Sequence, residues 1–164
     1  MNAKINIVNQ NSRTKLAPGI KLLIRRACHA VLENDGFDKK TEVNIALMDN
    51  ISIAKLNSTY RNKDSATDVL SFPTLDENGN YETNPETGVT ALGDIAISIE
   101  YVEEQANRYS RTFMYEICAV TVHSMFHLLG YDHEKSSVDA VNMREREAKV
   151  LEKMGMSLSL SYVV

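Results

Sequence analysis

Between Leu92 and His133 the chain reads LGDIAISIEYVEEQANRYSRTFMYEICAVTVHSMFHLLGYDH. Leu92 to Ser98 reads as a strand. From Ile99 to about Leu129 the pattern is helical with a break near Arg108–Thr112, and Gly130, able to turn left-handed, stops it. Working back, Thr67 to Phe72 is a strand that Pro73 ends, and a short helix runs from Ser52 as N-cap to Tyr60 with Ile53 and Leu56 inward. Val43, Ile45 and Leu47 alternate as a strand. Pro18-Gly19 opens a helix to about Asn34, with Ile20, Leu23, Ile24, Ala27 and Val31 on one face and Lys21, Arg25 and His29 on another. Ile5 and Ile7 share one side of a first strand, and a charge-laced last helix spans about Ser137 to Met154 and ends at Gly155. Residues 74–90, rich in Gly, Pro, Asn, Thr and acids, read as a long exposed loop or hairpin tip. The order β-α-β-α-β-β-α-α-α predicts a single α+β domain over residues 1–164, with one mixed, mostly parallel sheet of about four strands packed with about five helices.

Composition bounds the function. At 164 residues, 43% hydrophobic and 24% charged, the chain can bury one sizeable core. No apolar run approaches the roughly 20 residues of a membrane helix, and Met1 to Gln10 look like neither a signal nor a transit peptide. Cys28 and Cys118 are too few for a disulfide framework, so a cytoplasmic protein is expected. The net charge of −4 argues against a polybasic nucleic-acid coater. It comes from one place. Thr74–Thr90 holds Asp76, Glu77, Glu82 and Glu86 and no base, so the remaining 18 acids balance the 18 bases and a local basic groove stays open to the rest.

The chemistry sits at the end of the opening stretch. His123 and His127, four apart on a helix, point the same way, and a reversal at Gly130 brings His133 back toward them. Two imidazoles from one turn and a third from the next loop leave a fourth position open, as in catalytic rather than structural Zn²⁺ sites. Cys118 lies on the opposite side of the helix from His127. The spacing H-x3-H-x2-G-x2-H is that of metzincin peptidases, but their catalytic Glu directly after the first histidine is here Ser124, which is no base near neutral pH. His29 stands alone on a polar face and reads as structural.

Two further segments precede the histidines: Leu56-Asn-Ser-Thr-Tyr60-Arg61 leading into Thr67-Asp68-Val-Leu-Ser71-Phe72-Pro73, and Leu92-Gly93-Asp94-Ile95. With the histidine run and in this order, they resemble the YbeY family of bacterial metal-dependent endoribonucleases, from about residue 43 to the end of the last helix. Ser124 and Phe126 stand where that family usually has Gly and Leu. The resemblance implies Zn²⁺, one per chain, held by His123, His127 and His133 on a helix and the loop after it, and a functional arginine at Arg61. It also implies cleavage of single-stranded RNA, maturation of the 3′ end of small-subunit ribosomal RNA, and a role in ribosome assembly and quality control. The implied partners are ribosomal RNA and the small ribosomal subunit with its proteins; no membrane and no DNA is expected.

A phosphodiester hydrolase needs a nucleophile and a counter-charge for the transition state. Arg61 offers a planar fork that holds two phosphate oxygens, and is expected to face the metal across a cleft. Asp132 reads either as a group orienting a ligand or as a turn residue beside Gly130. Glu116, two helical turns before His123, is too far to ligate and suits a buried hydrogen bond or a groove wall. Asp68 and Asp94 are expected to flank strands and accept from loop amides. Lys21, Arg25, Arg26 and Lys63 are candidate RNA contacts, and Phe72 and Tyr131 read as stacking or as core residues. Two competing readings are a non-catalytic ribosome assembly factor with a structural metal and a zinc peptidase, the latter disfavoured by Ser124.

Overall fold

The computed structural model describes residues 2–13, 15–132 and 136–156. Along them run β1 (Ala3–Asn9), α1 (Ile20–Asn34), β2 (Thr41–Met48), α2 (Asn50–Arg61), β3 (Val69–Pro73), β4 (Glu82–Thr83), β5 (Thr90–Ser98), α3 (Ile99–Arg108), α4 (Phe113–Leu128) and α5 (Ser137–Lys153). The fold is a single α+β domain with a mixed sheet in the order β1-β2-β5-β3, β4 adding a two-residue pairing to β5. β1, β2 and β5 are parallel, and β3 and β4 run antiparallel to β5.

Alternation sorts the sheet's two faces. Ile5, Val43, Ile45, Leu47, Ile95 and Ile97 enter the main core, where α1, α4 and part of α3 cover them and α5 packs outside on α1 and α4. The opposite face carries Asn6, Asn44 and Asp94 side by side, Asn6 Nδ2 donating to Asn44 Oδ1 (3.0 Å) and Asn44 Nδ2 to Asp94 Oδ1 (3.2 Å). There α2 closes a smaller cluster of Ile53, Leu70 and Ala96. Asp94 therefore lies inside a strand and binds a side-chain amide, unlike the strand-flanking acceptor expected of it.

The starts of α2 and β3 differ from the sequence reading, whereas segment 74–90 agrees with it. α2 is capped by Asp49, whose Oδ1 accepts from the Ser52 amide at 2.9 Å, so Ser52 lies inside the helix and not at its cap. β3 begins at Val69 rather than Thr67, because the Asp68 carboxylate turns back to bind the Val69 amide (2.8 Å). Segment 74–90 is a hairpin tip, anchored where sequence periodicity gives no sign. Tyr81 packs edge-on against Phe37 and donates to the Leu128 carbonyl at 2.7 Å, and burial together with nearby Asp35 pushes its hydroxyl pKa up to about 12.

Gly93 fixes the junction of sheet and helix. It lies beside the register shift between β2 and β5 and has φ +145°. A Cβ there would meet the Phe72 carbonyl oxygen at 2.3 Å and Leu128 Cδ2 at 2.9 Å. Only glycine lets β3, β5 and the end of α4 approach this closely.

Candidate active site

Helix α4 is apolar nearly all round, as a helix sandwiched between α1, α3, α5 and β3 must be. From Ile117 to Leu128 only Ala119, His123 and His127 are partly exposed, a single stripe four residues apart. That stripe forms one wall of a cleft of ≈ 750 Å³. The helix stops as its sequence demands: Gly130 takes φ +96°, its amide donates to His127 O (3.0 Å), and the Tyr131 amide donates to Phe126 O (3.0 Å). These are the paired bonds of a Schellman cap.

The two imidazoles converge. Nε2 of His127 lies 3.0 Å from Nε2 of His123, with the rings edge to face at 4.6 Å between centroids. On the other side of the His123 ring, Nδ1 is 2.5 Å from Glu147 Oε1 on α5. In the neutral ring a carboxylate at Nδ1 must receive a proton, which leaves the lone pair on Nε2, facing His127. Two nitrogens bound to one tetrahedral Zn²⁺ at 2.0–2.1 Å stand about 3.4 Å apart, close to the spacing found here. The donor types and their convergence fit a zinc ion. Among the described residues no set of three or more His, Cys, Asp or Glu is arranged to hold a metal. The expected third ligand, His133, lies outside the described residues.

The facing wall comes from α2 and β3. Arg61, in the last turn of α2, lines the same cleft as His123 and His127. Its Nη2 donates to Ser71 O at 2.9 Å, and its guanidinium lies 5.9 Å from the Phe72 ring centroid. Ser71 ties the walls together. Its carbonyl accepts from Arg61, and its hydroxyl makes a buried hydrogen bond with the Ser124 hydroxyl on α4. Ser124, fully buried, points into this contact and away from the histidines' open stripe.

Between the walls runs a chain of polar side chains. Glu116, 2% exposed, accepts from Arg111 Nη1 (3.0 Å) and Gln105 Nε2 (3.1 Å), and Gln105 Nε2 also reaches Asp68 Oδ2 (3.4 Å). Glu116 thus makes the buried hydrogen bonds expected of it and also lines the cleft. Asp68, Lys63 and Asp132 line the cleft too, whereas Lys21, Arg25 and Arg26 do not, because α1 turns its polar face elsewhere. Tyr131 packs edge-on against Phe126 and donates to Asp35 Oδ2 (2.9 Å); Phe72 meets Tyr60 on the sheet's far face. Cys118 is buried against Met154, and burial pushes its thiol up to about 12.

Glu147, Arg111 and Ser71 escaped the sequence reading. Glu147 left a trace: it interrupts the stripe formed by Met143, Val150 and Leu151 on α5, a half-buried acid among buried apolar residues. Ser71 left none, since its hydroxyl meets Ser124, 53 residues away, and its other bond uses a backbone carbonyl. Arg111 lies five residues before its partner Glu116, a spacing across the start of α4 that follows no helical pattern.

The chain is similar to known proteins over most of its length. A family model described as Endoribonuclease YbeY matches residues 6–155. An Endoribonuclease YbeY of Caldanaerobacter subterraneus subsp. tengcongensis is 42% identical over 157 residues, covering 93% of this chain and 99% of that protein. One of Alkaliphilus oremlandii is 43% identical over 145 residues, covering 88% and 93%. The solution structure of a Thermotoga maritima protein superposes with a TM-score of 0.59 at 30% identity, covering 91% of this chain and 87% of that one. With a match across nearly its full length and relatives above 40% identity, the chain belongs to the YbeY endoribonuclease family.

Proposed function

We propose that this protein is a single-strand-specific, zinc-dependent endoribonuclease of the cytoplasm that matures the 3′ end of small-subunit ribosomal RNA and serves ribosome quality control. Its substrate is ribosomal RNA, met on the small subunit and its proteins. The observation that carries the reading is the convergence of His123 Nε2 and His127 Nε2 in a cleft whose other wall holds Arg61. Family membership supports RNA as the substrate. No helix among the described residues is long and apolar enough to cross a membrane.

In this reading His123, His127 and His133 hold the ion through ring nitrogens. When bound, Zn²⁺ supplies Lewis acidity to a phosphoryl oxygen and makes water acidic near neutral pH. Arg61 grips the scissile phosphate. The Ser71 carbonyl fixes one donor of its guanidinium, so the planar fork enters the cleft oriented. Ser124 plays no part in proton transfer, since its hydroxyl is spent on Ser71.

The test is cleavage of a labelled single-stranded RNA by the parent, His127→Ala and Arg61→Ala proteins, purified identically. Cutting by the parent alone, with each variant down by about 10²-fold or more, is the expected result. Equal cutting by all three, or none by any, overturns the nuclease reading in favour of a non-catalytic assembly factor.

A further inference from the structure

Helix α5 reaches the histidine wall from behind, at one turn. Buried Met143, Val150 and Leu151 fix its register against the core, and that register points Glu147 at His123 Nδ1, 2.5 Å away, with only 19% of the Glu147 side chain exposed. The neighbouring Arg146 stacks its guanidinium 4.8 Å from the Tyr131 ring centroid, beyond the Gly130 turn. Tyr131 in turn donates to Asp35 on the helix α1 side at 2.9 Å. One helical turn thus holds the chain on both sides of the Gly130 reversal, at His123 before it and at Tyr131 after it.

We propose that Glu147 is a positioning residue for metal binding: it locks His123 in the tautomer and ring orientation that present the Nε2 lone pair to the ion. The inference rests on the metal reading of His123 and His127 given above. The carboxylate binds the ring nitrogen opposite to Nε2, so it is neither a ligand nor a base for a reaction in the cleft. A carboxylate accepting from the second nitrogen of a ligating histidine fixes the tautomer and raises ligand basicity, and loss of such a partner weakens metal binding by about 10–100-fold. An isolated ion pair between α4 and α5 would have no such effect on the metal.

The experiment is a competition titration of zinc against a chromophoric chelator, on the full chain, with parent, Glu147→Ala, Glu147→Gln and Glu145→Ala proteins. Glu145 lies on the same helix, is exposed, and controls for the lost charge. Glu147→Ala is expected to bind zinc about 10–100-fold more weakly. Glu147→Gln, which keeps an acceptor oxygen, should fall between it and the parent, and Glu145→Ala should match the parent. Nitrogen-15 shifts of metal-free His123 supply a second readout: Nδ1–H in the parent, moving toward Nε2–H in Glu147→Ala. Zinc affinity and tautomer unchanged in Glu147→Ala, while the parent takes up zinc, would overturn this inference alone. A parent protein that takes up no zinc overturns the metal reading and this inference with it.

Discussion

The two walls of the cleft are held by different kinds of bond. On the helix wall, His123 depends on a side chain, Glu147, contributed by an element 24 residues away in sequence. On the strand wall, Arg61 is held by a backbone carbonyl, that of Ser71. A backbone acceptor survives almost any substitution at its own position, whereas a carboxylate is lost with one. The histidine wall is therefore vulnerable at residues other than the histidines, and the opposite wall mainly at the arginine itself. Where the walls meet, Ser71–Ser124 and the glycine contact at Gly93 join β3 to α4, so a change there disturbs both at once.

That junction gives the largest expected effect. In Gly93→Ala the added methyl would sit 2.3 Å from the Phe72 carbonyl oxygen and 2.9 Å from a Leu128 methyl, at a φ of +145°. Neither the strand nor the helix end can retreat without disturbing the core. Overpacking together with backbone strain should cost about 3 kcal/mol, read as a lower urea midpoint with unchanged slope. Activity should fall too, because Leu128 adjoins His127. A loss below about 1 kcal/mol would mean the two walls are not rigidly joined.

Removing metal should reach only the helix wall. The histidine helix is packed by Val120, Phe126 and Leu128 whether or not zinc is present. At free zinc a hundredfold above its dissociation constant, binding contributes about 2.7 kcal/mol, so chelation should lower Tm by about 5–10 °C in a chain of this size. Helical circular dichroism at 25 °C should stay the same. Collapse of the helical signal on chelation would make the metal a structural element and break the contrast between the walls.

Much of this was legible in the sequence because it depends on local rules. Strand alternation at Val43, Ile45 and Leu47, the break between α3 and α4 at Thr112, the glycine stop at Gly130 and the four-residue step between His123 and His127 all rest on neighbouring residues. The rest depends on tertiary distance. Nothing near Ser124 in sequence indicates that its partner is Ser71, and nothing near His123 points to Glu147. The Ser52 cap was a local ambiguity, since Asp49 and Ser52 both suit an N-cap, and the carboxylate three residues before the Ser52 amide took the position. Basic residues on α1 formed a plausible row, but only packing decides which side of a helix meets a cleft.

The smallest expected effect concerns the strand wall and is read by pH. Asp49 caps α2, whose last turn carries Arg61. The Ser52 backbone amide, against the opposing pull of burial, holds the Asp49 carboxyl below its ordinary value of 3.8, with the Ser52 side chain, Arg13 and Ser12 adding to the effect. A carboxyl lowered in the folded state contributes its stability in full above the unfolded value, and loses it as pH falls from about 3.8 through the lowered one. Asp49→Ala should therefore cost about 1 kcal/mol at pH 7, with a smaller gap to the parent at pH 2.5, while Asp49→Asn, a good cap without a charge, should stay near the parent at pH 7. Urea midpoints at the two pH values decide it. A gap between parent and Asp49→Ala that does not narrow in acid would show that the ionised carboxylate is not what holds the cap. Cleavage by Asp49→Ala at pH 7 should remain within about threefold of the parent, because losing roughly 1 kcal/mol at the first turn of α2 leaves the bond from Arg61 to the Ser71 carbonyl, three turns on, in place.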